Sequence, residues 1–370
     1  MADLFEQLRP LPETLKSAGL PVYLYGMGDG ADKALAYLDA HDIRPTGVFA
    51  SEDFLRPGAC FRSFPVERLP DIEAREGKIA VILCFGTEGE EAERLLRPLM
   101  EKHLLRVPPF PVYGDGMLDR ERLRARKTDA ERVYSWLSDD LSRALFRDVL
   151  AFQLTGDPAF LFSHWEGADE PPEAFFSHDG LHLDVGAYDG QTARDYLARN
   201  PRCKGVWAFE PNEASFRKLS TPPAAISTDP AKVRPFHAAC GDRDGFAPLS
   251  ASHGRGTHLG DGEGRVRVCK LDTVCGYPTV NAVGGVPVGS LHIDAEGEDA
   301  NVLYGSANLI TSCRPCVGIS AYHRAEDLLD LPLLLKRLCY RSQLYFRKKP
   351  CVPAWDTEFY LIPQSERKDL

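Results

Sequence analysis

Residues 181–211 read LHLDVGAYDGQTARDYLARNPRCKGVWAFEP. An apolar run ends in Asp184, Gly186 and Gly190 follow, a segment of helical spacing comes next, and a second apolar run ends on Glu210. The pattern predicts strand, glycine loop, helix and strand, with a carboxylate at the tip of the second strand. Such a unit is a nucleoside cradle. Glycines let backbone close on a ligand, a helix N-terminus favours an anionic group, and the carboxylate accepts hydrogen bonds from ribose hydroxyls. A dinucleotide fingerprint wants glycine where this chain has Tyr188, so that backbone can approach a pyrophosphate. Asp-x-Gly-x-x-x-Gly instead suits a cofactor without phosphate, and S-adenosylmethionine (SAM) is the one expected. NAD or FAD, and an α/β turn that binds nothing, are the alternatives; Glu210 argues against the last.

The bulk properties set bounds on this reading. With 370 residues the chain has room for two cores, and its 44% hydrophobic and 26% charged residues are ordinary for a globular protein. A net charge of −10 argues against a nucleic-acid footprint, which needs a basic face. The arginine-rich run Asp119–Arg132 is expected to be a solvated helix face. The N-terminus shows no basic stretch followed by an apolar core, and no apolar run approaches the roughly 18 residues of a membrane span. The expectation is a cytoplasmic protein whose ten cysteines stay reduced. Cys313 and Cys316 form a lone CxxC, read as thiols at the start of a strand rather than a zinc or redox pair. No internal repeat or low-complexity tract is present.

Before the cradle lies a second α/β pattern. Val22–Tyr25 reads as a strand, Gly26–Ala31 as a glycine loop, Ala31–Ala40 as a helix, Thr46–Ala50 and Ile79–Phe85 as strands, and Glu88–Lys102 as an amphipathic helix. His103–Tyr113 supplies another short strand, giving a small parallel sheet. Gly26-x-Gly28-x-x-Ala31, with Glu52 and Asp53 about 20 residues on, matches the dinucleotide fingerprint loosely. From Leu118 to Phe162 the chain is mainly helical, with one apolar periodicity from Val133 to Thr155 that Gly156-Asp-Pro158 breaks. The division expected is residues 1–117 as a Rossmann-like accessory domain, 118–175 as a helical connector and 176–370 as the cradle's domain.

Beyond the cradle, strands are expected at Val233–Ala239, Ser290–Ile293 and Cys316–Ala321. A helix is expected at Asp299–Ile310 and another at Glu326–Cys339. The final strands are Gln343–Arg347 and Glu358–Ile362, and a hairpin insertion spans Gly245–Leu271. In an open α/β sheet ligands bind at the carboxyl ends of strands. Those ends offer Asp184, Glu210, Asp242, Asp294 with Glu296, and Tyr322 with His323. One or two such residues serve as helix caps in any sheet; five in succession point to a site.

The combination LDVGAYDG, AFEPN, LDTV, IDAEGEDANVLYGSANLI, AYHRAEDLLDLP and YFRKK…DTEFYLIP resembles the FkbM-type SAM-dependent methyltransferases, from about Tyr134 onward. The resemblance implies a Rossmann-like class I methyltransferase sheet closed by an antiparallel hairpin. It implies SAM as cofactor and O-methylation of a sugar, glycan precursor or secondary-metabolite hydroxyl. Asp184, Gly186 and Gly190 would line the methionine moiety, Glu210 would hold the ribose, and Asp242 would lie near the adenine; Ala187, Tyr188 and Pro211 complete the SAM-binding positions that carry over. The N-terminal unit resembles, more loosely, accessory domains fused to such enzymes. His292 stands where relatives commonly carry lysine, which puts a cation there in doubt.

An alcohol must lose its proton as it attacks, and a positioned base assists this by about 10²–10⁴-fold. His323 is the first candidate, because an unperturbed pKa near 6.5 suits the task; the alternative is a histidine that caps a helix start or bonds a carboxylate. Asp294 is the second, with SAM or substrate orientation as its other role, and Glu296 is expected to cap or anchor the loop. Paired acids could also bind a divalent ion, but no firm three-ligand set is legible, so no metal is assigned. The alternatives from other classes are an NAD(P)- or sugar-nucleotide-binding enzyme using the Gly26–Ala31 loop, and a non-catalytic glycan-binding protein. Neither the acceptor nor the oligomeric state is written in the sequence.

Overall fold

The structure is a computed structural model that describes residues 4–114, 116–220, 232–250, 260 and 264–364. The first strands are Val22–Tyr25 (β1), Gly47–Phe49 (β2), Cys60–Phe61 (β3), Phe64–Glu67 (β4), Ala80–Leu83 (β5), Thr87–Glu88 (β6) and Leu104–Arg106 (β7). All but β6 form a sheet in the order β3-β4-β2-β1-β5-β7, parallel except for β3. The apolar β1 and β5 are buried on both faces, as central parallel strands must be. The β3–β4 hairpin at the edge escaped the sequence reading because Cys60–Glu67 is short and half-polar.

The second set comprises Leu181–Val185 (β8), Gly205–Phe209 (β9), Val233–Phe236 (β10), Ala239–Cys240 (β11), Gly245–Leu249 (β12) and Gly264–Cys269 (β13). Val288–Ile293 (β14), Cys316–Ser320 (β15), Ser342–Lys348 (β16), Cys351–Val352 (β17) and Thr357–Pro363 (β18) follow. The main sheet runs β10-β9-β8-β14-β15-β18-β16, with β18 antiparallel to both its neighbours. This is the expected class I methyltransferase sheet with its terminal hairpin. Register sets up the site. Phe236, Phe209, Val185, Ile293 and Ile319 lie in one row across five parallel strands, so the residues just beyond them share one edge.

Local expectations shift in three places. The periodicity from Val133 to Thr155 is two helices, Lys127–Trp136 and Asp140–Thr155, because Asp139 accepts from the Ser142 amide and Ser138 N donates to Leu344 O. Asp299–Ile310 likewise divides into Asp299–Gly305 and Ala307–Cys313. Val233–Ala239 divides into β10 and β11, and β11 joins the small sheet β11-β13-β12. The hairpin insertion is present as antiparallel β12 and β13, while residues 251–259 and 261–263 lie outside the described residues. The arginine-rich run is not merely solvated. Arg126 pairs with Asp129, Glu326 and Asp330, and Arg124 with Glu6, so it fastens separate segments together.

The two sheets share packing. One buried apolar cluster runs from Tyr25 and Leu83 through Phe146 and Phe152 to Phe346 and Phe359. A ribbon of β6 paired antiparallel with β17 adds backbone hydrogen bonds between the halves. Gly86 meets the ring of Trp355 so closely that a Cβ would lie 2.7 Å from it. Among the described residues, no helix is long and apolar enough to cross a membrane. Phe359 is 0% exposed and packs on Phe346 at 4.8 Å between ring centroids, with Phe146 beyond. Phe359→Ala should therefore cost about 3–5 kcal/mol in denaturant unfolding; a loss below about 1 kcal/mol would contradict this packing.

Candidate active site

The cradle is built by the edge row. After β8, Gly186 turns with φ +84°, and a Cβ on it would lie 1.9 Å from the carbonyl oxygen of Asp294, so no side chain fits where the loop crosses the end of β14. The amides of Gly186 and Ala187 both donate to Phe209 O at 3.0 Å. Tyr188 takes the left-handed conformation, φ +48°, and its amide donates to Glu210 Oε2 at 2.9 Å; the Asn212 amide donates to Oε1 at 2.7 Å. Glu210 is thus aimed by two backbone amides. Burial nevertheless pushes its carboxyl up to about 7.

Behind the cradle Asp184 is 0% exposed, and neither of its carboxylate oxygens has a hydrogen bond. Its partner is His292, whose Nδ1 lies 3.4 Å from Asp184 Oδ1 and whose Nε2 lies 3.6 Å from Glu358 Oε1. Burial alone would push this histidine down, but the two carboxylates raise it to about 10. Two carboxylates thus favour a charged imidazole at position 292.

Asp294 and Glu296 stand at the far end of the cradle. Tyr322 donates to Asp294 Oδ1 at 3.3 Å, and Tyr113 of the N-terminal unit donates to Glu296 Oε2 at 2.8 Å. His323 lies behind them, 0% exposed, with Nδ1 2.8 Å from Asp299 Oδ2 and Nε2 3.2 Å from Asp294 Oδ1. Burial would lower its pKa, yet Asp299 and Asp294 hold it well above the ordinary value. The ring does not line the cavity, and its contacts are those of a histidine that bonds carboxylates. Its charge in turn holds Asp294 well below the usual carboxylate range, against the effect of burial. Burial pushes Glu296 up to about 7.

A cavity of about 940 Å³ joins these groups. Gly186, Ala187, Tyr188, Glu210 and Pro211 line one side, Asp294 and Glu296 one end, and Asp184 and Gly190 stand just outside the wall. Asp242 is not brought in. It is exposed beside Arg243, because the chain breaks after Phe236 and it is Ala238–Cys240 that reach the wall. The opposite side is the Gly26–Gly30 loop with Phe85 and Trp355. Sequence reading missed Tyr113, Asp299 and Trp355. Asp299 lay within the quoted IDAEGEDANVLYGSANLI block, whereas Tyr113 and Trp355 carried no local signal.

SAM fits this cavity: its volume is that of a small-molecule site, Glu210 is held on its wall by two backbone amides, and carboxylates suit a cationic sulfonium ligand. Because an acid raised to about 7 gains its proton below that pH, SAM affinity should fall about tenfold from pH 8 to pH 6 by calorimetry. Glu210→Gln should bind more weakly and show a flat profile. A wild-type affinity independent of pH would remove Glu210 as the ribose anchor.

Comparison with known proteins identifies the domain. Residues 184–342 match the family model described as the Methyltransferase FkbM domain. No curated protein matches. The crystal structure of Methyltransferase FkbM from Methylobacillus flagellatus KT superposes with a TM-score of 0.63 at 16% identity, covering 92% of this chain and 90% of that one. At that identity the likeness is one of fold, and it extends over the N-terminal unit as well. Aeropyrum pernix fibrillarin in complex with natively bound S-adenosyl-L-methionine matches more loosely, with a TM-score of 0.28 at 12% identity over 50% of this chain and 68% of that one. Residues 184–342 are an FkbM-type methyltransferase domain.

Proposed function

We propose that the chain methylates a hydroxyl of a sugar, glycan precursor or secondary metabolite. The observation that carries this reading is the single cavity in which the cradle, the Asp294–Glu296 pole and an aromatic wall with Trp355 face one another. Carboxylates only accept hydrogen bonds, and a row of them suits a ligand rich in hydroxyl donors. A flat indole face suits the C–H face of a sugar ring. Lys33 and Lys349 are the only cationic side chains on this wall among the described residues, against Asp29, Asp189, Asp195, Glu210, Asp294, Glu296, Glu298 and Asp356, which favours a neutral or basic acceptor over a phosphorylated one.

When bound, SAM supplies an electrophilic methyl group on a sulfonium. Asp184, Gly186, Ala187, Tyr188 and Gly190 shape the methionine end, and Glu210 and Pro211 hold the ribose. Adenine is assigned to the wall of Ala238–Cys240 rather than to Asp242. The Asp294–Glu296 pole receives the acceptor hydroxyl, and Asp294 takes its hydrogen bond. His323 is a positioning residue that locks Asp294. Alignment of this kind is worth roughly 7–11 kcal/mol in favourable cases.

The division into residues 1–117, 118–175 and 176–370 belongs to the same proposal, with the first unit closing the acceptor side of the cavity. A cytoplasmic location is supported by ten cysteines that are all free thiols. Labelled SAM incubated with a panel of neutral sugars, amino sugars and polyhydroxy metabolites tests the reading. Asp294→Asn should lower turnover at least 100-fold while SAM affinity stays within about threefold of wild type. Full turnover in that variant would remove Asp294 from the reaction.

A further inference from the structure

Where β14 and β15 end, three carboxylates converge on one imidazole. His323 is 0% exposed. Its Nδ1 is engaged by Asp299 Oδ2 at 2.8 Å, and the Asp299 carboxylate is itself fixed by the amides of Ala295 at 2.9 Å and Gly297 at 3.1 Å. The ring therefore has one orientation, and Nε2 is directed toward the cavity pole. There it lies 3.2 Å from Asp294 Oδ1 and 3.6 Å from Glu296 Oε2, yet forms no hydrogen bond with either. Glu296 adds backbone strain, holding φ +51° although it is not glycine, which turns its side chain back toward His323 and Tyr113.

We propose that Asp294, Glu296 and Nε2 of His323 bind a divalent cation, with Asp299 as the carboxylate that orients the histidine from behind. Ligand atoms of Asp294, Asp299 and His323 lie within 4.8 Å of one another; Glu296 stands outside that group, with Oε2 3.6 Å from Nε2, and joins it as the second carboxylate on the cavity side. Carboxylate, histidine and metal in series is a recurrent second-layer arrangement: the outer carboxylate fixes the tautomer and raises the ligand's basicity. Two carboxylates and one imidazole, with no thiolate, suit Mn²⁺ or Mg²⁺. In the ion-free chain a proton on Nε2 takes the cation's place. The sequence reading found no such set because its ligands come from a strand end and from the next strand's loop, Asp294 and Glu296 on one side and His323 on the other.

The site opens on the cavity, since Asp294 and Glu296 both line it. A cation there would leave coordination positions for acceptor oxygens, and adjacent hydroxyls of a polyol are the ligands that match. That use of the ion rests on the methyl-transfer reading; binding of the ion does not.

Titration of the full chain with MnCl₂, without SAM or acceptor, tests the site, with free Mn²⁺ followed by electron paramagnetic resonance. One site per chain is expected, with Kd below about 1 mM. Asp294→Asn, Glu296→Gln and His323→Gln should each weaken it at least about tenfold. Glu101→Gln, exposed on the helix Gly89–Lys102, should leave it unchanged. Glu296→Gln is isosteric at a partly exposed position, so it keeps the test sound if the buried variants misfold. No site in the folded wild-type chain, or a site indifferent to all three substitutions, overturns the proposal. Mn²⁺ bound by a chain that does not bind SAM would sink the methyl-transfer reading and leave the ion site standing. SAM bound without Mn²⁺ would do the reverse.

Discussion

The contact of Gly186 with the Asp294 carbonyl fixes the distance between the two halves of this site. With 1.9 Å between a notional Cβ and that oxygen, the loop after β8 lies directly on the end of β14. The Gly186–Glu210 cradle and the Asp294–Glu296 pole therefore form one corner. The register row from Phe236 to Ile319 extends this constraint across the sheet. Residues one or two places past the row become neighbours although they are far apart in the chain. Everything proposed for the chemistry depends on that geometry.

Electrostatics complete what the register begins. Two buried histidines sit among carboxylates, His292 between Asp184 and Glu358, and His323 between Asp299 and Asp294. In both, charge partners outweigh the cost of burial and raise the ring above its ordinary pKa. Their service is to orient acids. The acids on the cavity wall are then available to a cationic donor and a hydroxylated acceptor.

Much of this was legible in residues 181–211. Apolar runs ending in Asp184 and Glu210, with glycines between, specify strands and a tight turn, and Tyr188 in place of glycine tells against a pyrophosphate. The later strand ends, Asp294 and Glu296, were legible for the same reason. The misreadings are of a different kind. A sequence does not show which carboxylates surround a ring, so the shift at His323 is invisible in it. The resemblance puts Asp242 near the adenine, but the break after Phe236 turns its side chain away from the cavity. Tyr113 and Trp355 reach the site only because the N-terminal unit and the β6–β17 ribbon fold over the sheet edge. Such contacts are products of tertiary packing and leave no local pattern.

The central claim is that the Gly186–Glu210 cradle, not the Gly26–Gly30 loop facing it, holds the methyl donor with its sulfur toward the Asp294–Glu296 pole. A crystal structure of the chain with S-adenosylhomocysteine tests this directly. The account predicts ribose hydroxyls within hydrogen-bonding distance of Glu210, adenine against Ala238–Cys240, and sulfur facing Asp294. Nucleoside bound instead at Gly26–Gly30, or a cradle left empty at saturating ligand, would contradict it.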